Sequence, residues 1–441
     1  MMKLFLSILI FTSTSALFSQ VWQPLGSGTD NGGQGIRIKS YQGKLIAAGS
    51  FSNAGGVYTK GYAAWDGNVW NAVDEDLNIF FSGGVMAIYH DELYSFGEFY
   101  WDSTLMLRLD HNFKWYPRPD YRITRNGYGG IAKCIAVFND ELYVGGIFDK
   151  IGDVEAKNIA RWDGNSWHAV GTGLNDYPID MKVYNGKLYV SGQFNQAGGQ
   201  YAKKLASWDG SQWSNVGNGL EQGNFITSME VYKEKLYLGG LFTQTGGQAT
   251  TNIASWDGTD FEPVGQGAGN PGTSDYIEGM GLFMDKLYVG GQFSLSTGMF
   301  KNDGGVWDGN QWDSLPRGLS IGPNDFEYYD CHLYAAGSFM GNINGVARLD
   351  VYDCTMELDE FSGEIPLSAY PNPTDGKLFI DLSKPADITW ALYDISGKII
   401  LSESVPSSQQ TYIDLSTLPQ GVYILKIISG GETNTAKVVK K

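Results

Sequence analysis

The chain has 441 residues, 59 of them glycine and 13 tryptophan, and carries a formal net charge of −17. That length exceeds one ordinary hydrophobic core, so a large repeat domain with a smaller companion is expected. The acidity excludes nucleic-acid binding, where basic patches supply most of the affinity, and docking on an anionic membrane by charge alone.

Residues 1–19 read as a secretory signal peptide. Lys3 precedes an apolar run from Leu4 to Phe11, and small residues follow before Gln20, with cleavage expected near Ser19 or Ala16. The run is too short to span a bilayer. No cysteine follows it for lipid attachment, and no later stretch is apolar enough for a transmembrane helix.

The next stretch repeats one unit, seen clearly from Ile179 to Leu220. Four short apolar segments alternate with Asn-Gly and Asp-Gly dipeptides, the signal of tight hairpins. Each unit is a four-stranded antiparallel sheet of about 46 to 50 residues, the period of a propeller blade. The Leu-Tyr-Val-Gly-Gly-x-Phe strand recurs seven times, at Leu45, Leu93, Leu142, Leu188, Leu236, Leu287 and Leu333. A Trp-Asp-Gly turn recurs at Trp65, Trp162, Trp208, Trp256 and Trp307, weakened to Leu109-Asp110 and Leu349-Asp350 in the second and last copies. Five residues past that Trp, a second aromatic marks the fourth strand (Trp70, Trp167, Trp213, Phe261, Trp312), with Trp115 in the second copy.

The last copy lacks its fourth strand. Val21 to Gly28 matches Gln212 to Gly219 almost position for position, so the N-terminal segment is expected to supply it. The expected fold of residues 20–354 is therefore an all-β, seven-bladed β-propeller closed by the N-terminal strand. Such closure leaves no blade dangling and shortens exposed edges. A turn centred on Gly and the next residue places Trp208 opposite Trp213. The paired glycines Gly145-Gly146, Gly239-Gly240 and Gly290-Gly291 mark close backbone approach or a bulge. The repeated Asp of the turn fits hairpin geometry and not calcium, since its copies lie on different blades and calcium needs six to eight converging oxygens. These motifs resemble the kelch-type and galactose-oxidase-like propeller repeats of secreted bacterial proteins, a resemblance that implies the fold and leaves activity open.

An acidic linker is expected at 355–366, and a second module at 367–441. Seven short alternating strands are predicted there: Leu367–Tyr370, Lys377–Leu382, Ile388–Tyr393, Lys398–Ser402, Thr411–Leu415, Gly421–Ile428 and Thr435–Val439. They read as a small Ig-like β-sandwich. Its motifs are Tyr370-Pro371-Asn372-Pro373, the run Leu392 to Lys398 containing Asp394, Gly397 and Lys398, the run Leu415 to Tyr423 containing Pro419, Gly421 and Tyr423, and the closing Lys437 to Lys441. They closely resemble the C-terminal sorting domain of type IX secretion substrates in Bacteroidetes. The resemblance implies the type IX secretion machinery as partner, export through the periplasm, removal of the module, and a secreted or outer-membrane surface protein.

The sequence offers no catalytic, metal-binding or cofactor motif. His90, His111, His168 and His332 are scattered without metal-ligand spacing, and no Gly-x-Ser-x-Gly elbow is present. His90 and His332 fall in first-to-second-strand turns, and Cys134 in a first strand where a small buried residue is expected. Cys331 and Cys354 flank the strands of the last blade and are the candidate pair for a disulfide. The longer second-to-third-strand loops carry Tyr58, Tyr100, Trp101, Asp149, Asn195, Gln196, Tyr201 and Gln244. Aromatics beside amides suit flat polar ligands such as sugars. The expected function is that of a monomeric surface or released binding protein for a glycan or protein ligand. The alternative is a polysaccharide-active enzyme with carboxylates gathered at the channel mouth.

Overall fold

The computed structural model describes residues 21–30, 35–74, 81–99, 103–220, 225–293, 295, 304–330, 332–339, 343–350, 367–370, 374, 376–393, 399–418, 421–429 and 432–440. Among them the chain is all-β and propeller-like, with no α-helix. The expected signal peptide and linker, Cys331 and Cys354 lie outside the described residues.

The repeats form sheets in chain order. The first holds Arg37–Tyr41, Lys44–Ala48, Tyr62–Trp65 and Trp70–Ala72, each strand antiparallel to the one before. Four further repeats copy this order, starting from Ile131–Phe138, Pro178–Tyr184, Phe225–Tyr232 and Tyr276–Phe283. The last repeat supplies Asp325–Tyr329, His332–Ala336 and Val346–Asp350, and the fourth strand beside them is Val21–Pro24. Trp22 lies opposite Leu349 and is 2% exposed. His332 opens its strand and does not sit in the turn.

The turn register follows from the spacing of the aromatics. Trp65 pairs with Trp70, Trp162 with Trp167, Trp208 with Trp213, Trp256 with Phe261 and Trp307 with Trp312. Within the turn, Oδ1 of Asp209 accepts the amides of Ser211 and Gln212, and Asp66, Asp163, Asp257 and Asp308 do the same in their copies. The aspartate is thus a turn acceptor. The paired glycines face bulges on the first strand, with register shifts at Ala132/Cys134, Ile226/Ser228 and Ile277/Gly279. A Cβ on Gly240 would stand 2.1 Å from the Phe225 carbonyl oxygen, so only glycine fits beside the bulge.

The second repeat departs from the others. Its fourth strand, Trp115–Arg125, is long and pairs with Lys150–Ile151 of the next repeat, joining two repeats in one sheet of seven strands. Leu109 pairs with Trp115 there.

Successive sheets are tied by tyrosine. The hydroxyl closing the first strand donates to a carbonyl in the next sheet's first turn: Tyr89 to Asp140 (3.1 Å), Tyr184 to Glu234 (2.8 Å) and Tyr232 to Asp285 (2.7 Å). Tyr41 reaches Asp91 (3.3 Å) and Leu109 (3.2 Å). Tyr329 of the last sheet donates to Gly43 of the first (2.8 Å). Phe138 and Phe283 hold the same position without a hydroxyl.

Among the described residues of the C-terminal module, the seven expected short strands are five: Leu367–Tyr370 as expected, and the longer Lys377–Tyr393, Ile399–Asp414, Gly421–Ser429 and Glu432–Lys440. The gap expected between Leu382 and Ile388 is a register shift between Asp381 and Ala386 that lets one strand continue. Leu378, Ile380, Trp390, Leu392, Ile413, Leu425 and Val438 are buried in its core.

Two outcomes test this reading. Trp22→Ala removes a fully packed aromatic and is expected to cost about 3–5 kcal/mol in urea unfolding followed by tryptophan fluorescence. Tyr232→Phe keeps the ring and loses the hydrogen bond, so a smaller loss of about 1 kcal/mol is expected by the same assay.

Candidate functional site

Two polar regions stand out, one at the loop end of the sheets and one along the first strands. At the loop end, the second and third strands are joined by small hairpins: Asn53–Ala54 with Val57–Tyr58, Gln196–Ala197 with Gln200–Tyr201, and Gln244–Thr245 with Gln248–Ala249. Both residues of each Gly-Gly tip have positive φ, the geometry of a tight type I′ turn (Gly198 60°, Gly199 78°). A Cβ at Gly198 would meet the Trp213 ring at 2.7 Å, so the hairpin lies down on the fourth strand of its own sheet.

In two sheets the link entering the sheet pins the hairpin. Asn175 Oδ1 accepts the amides of Asn195 (2.9 Å) and Gln196 (2.8 Å), and its amide group donates to Asn195 Oδ1 (2.6 Å). Asp30 does the same work in the first sheet, accepting from the amides of Ser52 and Asn53. These bonds hold the Asp30 carboxyl below the usual carboxylate range, although burial opposes them as the largest single influence.

The predicted residues fall into three groups. Asn195, Gln196 and Tyr201 share one hairpin, with Gln196 opposite Tyr201. Tyr58 and Gln244 occupy the equivalent hairpins of two other sheets and do not join them. Tyr58 (59% exposed) and Tyr201 (64%) hold the same position in their hairpins, each presenting a ring to solvent. Asp149 is committed to the fold: its amide donates to the Thr124 carbonyl and its Oδ2 accepts the Asn126 amide at 2.7 Å. Tyr100 and Trp101 lie outside the described residues, as do Pro371, Asn372, Pro373, Asp394, Gly397, Lys398 and Pro419. Gly421 opens its strand opposite Lys440, and Tyr423 is buried in the module's core.

The second region was not singled out from sequence. Along the first strands, charged residues alternate with apolar ones: Arg37 and Lys39, Asp180 and Lys182, Glu230, and Asp325 and Glu327. The apolar partners pack between sheets, and the charged ones reach the neighbouring first strand. Asp325 Oδ2 accepts the Ile38 amide (2.9 Å), and Glu327 Oε1 accepts the Ser40 amide (3.0 Å) and hydroxyl (2.7 Å). Lys39 pairs with Glu327 at 3.0 Å. Asp180, placed by a register shift at Pro178, accepts the Met229 amide at 2.6 Å, and Lys182 pairs with Glu230 at 2.6 Å. The signal missed in the sequence is an acid two residues before a second charge in a strand otherwise built for burial.

Burial pushes the Asp180 and Asp325 carboxyls up to about 6, against the nearby cations and the amide hydrogen bonds, with Glu230 and Glu327 adding to the rise. Lys39 is raised chiefly by Glu327, and Glu230 contributes as well. Asp180, Asp325 and Glu327 cap amides of the neighbouring first strand, whereas Glu230 accepts the amide of Val231 beside it. Among the described residues no group of three His, Cys, Asp or Glu is placed to hold a metal ion. Cys134 is a buried free thiol, its pKa raised by burial.

Residues 368–441 match the secretion system C-terminal sorting domain. The chain thus ends in a type IX sorting tail, which marks a secreted or outer-membrane surface protein of the Bacteroidetes. Among the described residues no helix is long and apolar enough to cross a membrane. No curated protein matches the chain. Among solved structures, the chain is similar to a DUF3244-family protein with an immunoglobulin-like β-sandwich fold from Bacteroides vulgatus, at 20% identity and a TM-score of 0.17, over 19% of this chain and 95% of that one. It is similar to Chaetomium thermophilum Raptor at 9% identity and a TM-score of 0.43, over 76% of this chain and 30% of that one. It is also similar to the β-propeller domain of the Trilobed protease from Pyrococcus furiosus, at 14% identity and a TM-score of 0.38, over 64% of this chain and 77% of that one.

The raised carboxyls give a signed pH dependence. The folded state holds these protons more tightly than the unfolded chain, so their contribution is fully present below about pH 4 and is lost as pH rises through about 6. Asp180→Asn and Asp325→Asn are each expected to flatten the fall in unfolding free energy over that window by on the order of 2 kcal/mol. Urea titrations of parent and variants at several pH values between 4 and 7 measure it.

Proposed function

We propose that this is a secreted or cell-surface binding protein, a seven-bladed propeller that presents its loop-rich rim to a glycan or protein ligand. The ring is closed by Val21–Pro24, spans residues 20–354, and is followed by an Ig-like sorting sandwich that the type IX machinery reads. Support for closure comes from the Trp22–Leu349 pairing and from the bonds of Tyr329, Asp325 and Glu327 to the first sheet. Support for a cleaved signal peptide at 1–19 comes from its sequence pattern alone.

The observation that carries the binding reading is the pair Tyr58 and Tyr201. Both occupy the last position of a rigid hairpin, both are more than half exposed, and amides lie alongside. A ring held out on a pinned hairpin loses little entropy on binding and stacks on a sugar face. Scattering over several blades suits an extended or multivalent ligand better than a small one.

A second reading, polysaccharide hydrolysis in the channel, is favoured by the raised Asp180 and Asp325 beside Glu230 and Glu327. Against it, Asp180, Asp325 and Glu327 spend carboxylate oxygens on backbone amides. A glycan array read together with polysaccharide digests separates the two. Binding without product is expected, with Tyr58→Ala and Tyr201→Ala each weakening it about three- to tenfold, the loss of one stacking contact. Product that disappears with Asp180→Asn would establish the hydrolase instead.

A further inference from the structure

The second repeat breaks the pattern, and the break concentrates positive charge. Between Lys114 and Lys133 five cations stand against one acid, Asp120, in a chain of net charge −17, and three of the eight arginines fall within 118–125. The long strand Trp115–Arg125 turns back at Asn126-Gly127 into Tyr128–Gly129, which sets Arg125 directly opposite Tyr128. Both turn residues have positive φ (52° and 81°), the geometry of a tight type I′ hairpin. This hairpin is fastened to the third repeat. Asp149 Oδ2 accepts the Asn126 amide at 2.7 Å, the Asp149 amide donates to the Thr124 carbonyl, and the Gly152 amide donates to that of Arg122 at 2.9 Å. The Tyr121 ring, 4.8 Å from that of Trp162, anchors the same strand.

The cations around the hairpin have partners. Arg108 binds Glu92 at 2.9 Å, Lys150 binds Glu155 at 3.0 Å, and Arg118 donates to the Tyr121 hydroxyl at 2.9 Å. Arg122 and Arg125 are exposed, and among the described residues neither side chain has a hydrogen bond or an ion pair. Tyr128 is 77% exposed, the most exposed of the described tyrosines. Directly opposed residues leave a ribbon by the same face, so the Arg125 guanidinium and the Tyr128 ring project side by side from a pinned backbone. Arg122, three residues away, leaves by the other face and adds its field. A planar guanidinium with free donors bonds two oxygens of a carboxylate or sulfate at once, and the bare ring beside it offers a stacking face. Together they fit a flat ring that carries its own anionic group. An acidic peptide fits less well: Asp149 already takes the amide at the tip, and Gly127, Gly129 and Gly130 build no walls for dry contacts. A densely charged nucleic acid also fits less well, because two guanidiniums do not outweigh its repulsion by a chain of charge −17.

We propose that the Arg125–Tyr128 hairpin binds an acidic polysaccharide, the guanidinium holding a carboxylate or sulfate while the phenol ring stacks on the sugar that bears it. This holds whether or not Tyr58 and Tyr201 bind a ligand. Affinity electrophoresis of the full chain tests it, in gels containing polygalacturonate (carboxylates alone), dextran sulfate (sulfates alone), neutral dextran, poly-L-glutamate or single-stranded DNA. Retardation by at least one of the two acidic polysaccharides is expected, with none by neutral dextran, and the polymer that retards names the group. Arg125→Gln should weaken it about tenfold or more, the loss of a charge-assisted hydrogen bond. Tyr128→Ala should weaken it about three- to tenfold, the loss of one stacking contact. Arg125→Lys, which keeps the charge and loses the fork, should lie between parent and Arg125→Gln. Lys286→Gln, which removes an exposed cation elsewhere, and the pair Tyr58→Ala, Tyr201→Ala should leave it unchanged. Absence of retardation by both acidic polysaccharides, or unchanged retardation in Arg125→Gln or Tyr128→Ala, overturns the proposal. So does equal retardation by poly-L-glutamate or single-stranded DNA, which would assign the hairpin to charge alone or to nucleic acid.

Discussion

At five of the sheets the same hydrogen bond orients the sheet against its neighbour, and a phenylalanine packs at the equivalent position in two others. A tyrosine at the end of a first strand donates to a backbone carbonyl in the first turn of the sheet that follows. The acceptor turns are tight, with consecutive positive φ values at His90 and Asp91, Asn139 and Asp140, Lys233 and Glu234, and Met284 and Asp285. Such turns are usually filled by Asn and Gly, and side chains other than these are strained in them. The fold accepts that strain because the twist of this turn suits the strands and aims one carbonyl at the neighbouring tyrosine. One bond of this kind is worth about 1 kcal/mol, too little to hold a sheet, but it fixes the angle at which apolar faces meet. The packing between sheets supplies the bulk of the energy.

A second constraint acts deeper. The first strand of each sheet has one edge without a strand partner, and its amides need acceptors. Across the junctions between the last and first sheets and between the fourth and fifth, carboxylates from one first strand cap amides of the next. Alternation makes this possible, since residues two apart reach the same neighbour. The cost is desolvation of the carboxyl, visible in the upward displacement of Asp180 and Asp325. Lys182 offsets part of it at Asp180, and Arg37 with Lys39 does so at Asp325. These carboxylates take the place of a missing strand along the open edge.

Much of this was legible in the sequence because each repeat writes the same physics again. The five-residue spacing of Trp208 and Trp213 dictates their pairing, and the likeness of Trp22 to Trp213 leads to its place beside Leu349. The rim hairpins were not legible as strands, since two-residue segments such as Gln196–Ala197 carry no period. Their pinning by Asn175 spans 20 or more residues, and no local pattern encodes it. Asp149 misleads for the same reason: its partners, Thr124 and Asn126, belong to the preceding repeat, whose fourth strand runs unusually long. In the C-terminal module two separate strands, Lys377–Leu382 and Ile388–Tyr393, are expected from sequence, but a register shift between Asp381 and Ala386 lets one strand run through both.

These bonds also decide where a ligand has room. An antiparallel four-stranded sheet has two turns at one end and one loop at the other. At the two-turn end the carbonyls receive tyrosines and the Trp-Asp-Gly amides are taken by their own aspartate, so the backbone there is spent. In the interior, the carboxylates are spent on edge amides. At the loop end the backbone is also satisfied, by Asn175 and Asp30, but the side chains of Tyr58 and Tyr201 are left exposed. A repeat fold that uses its backbone so fully can recognise partners only through side chains at positions where the repeat is free to vary. The hairpin position that holds Tyr58 and Tyr201 is one such place, occupied by Glu155 and Ala249 in two other sheets.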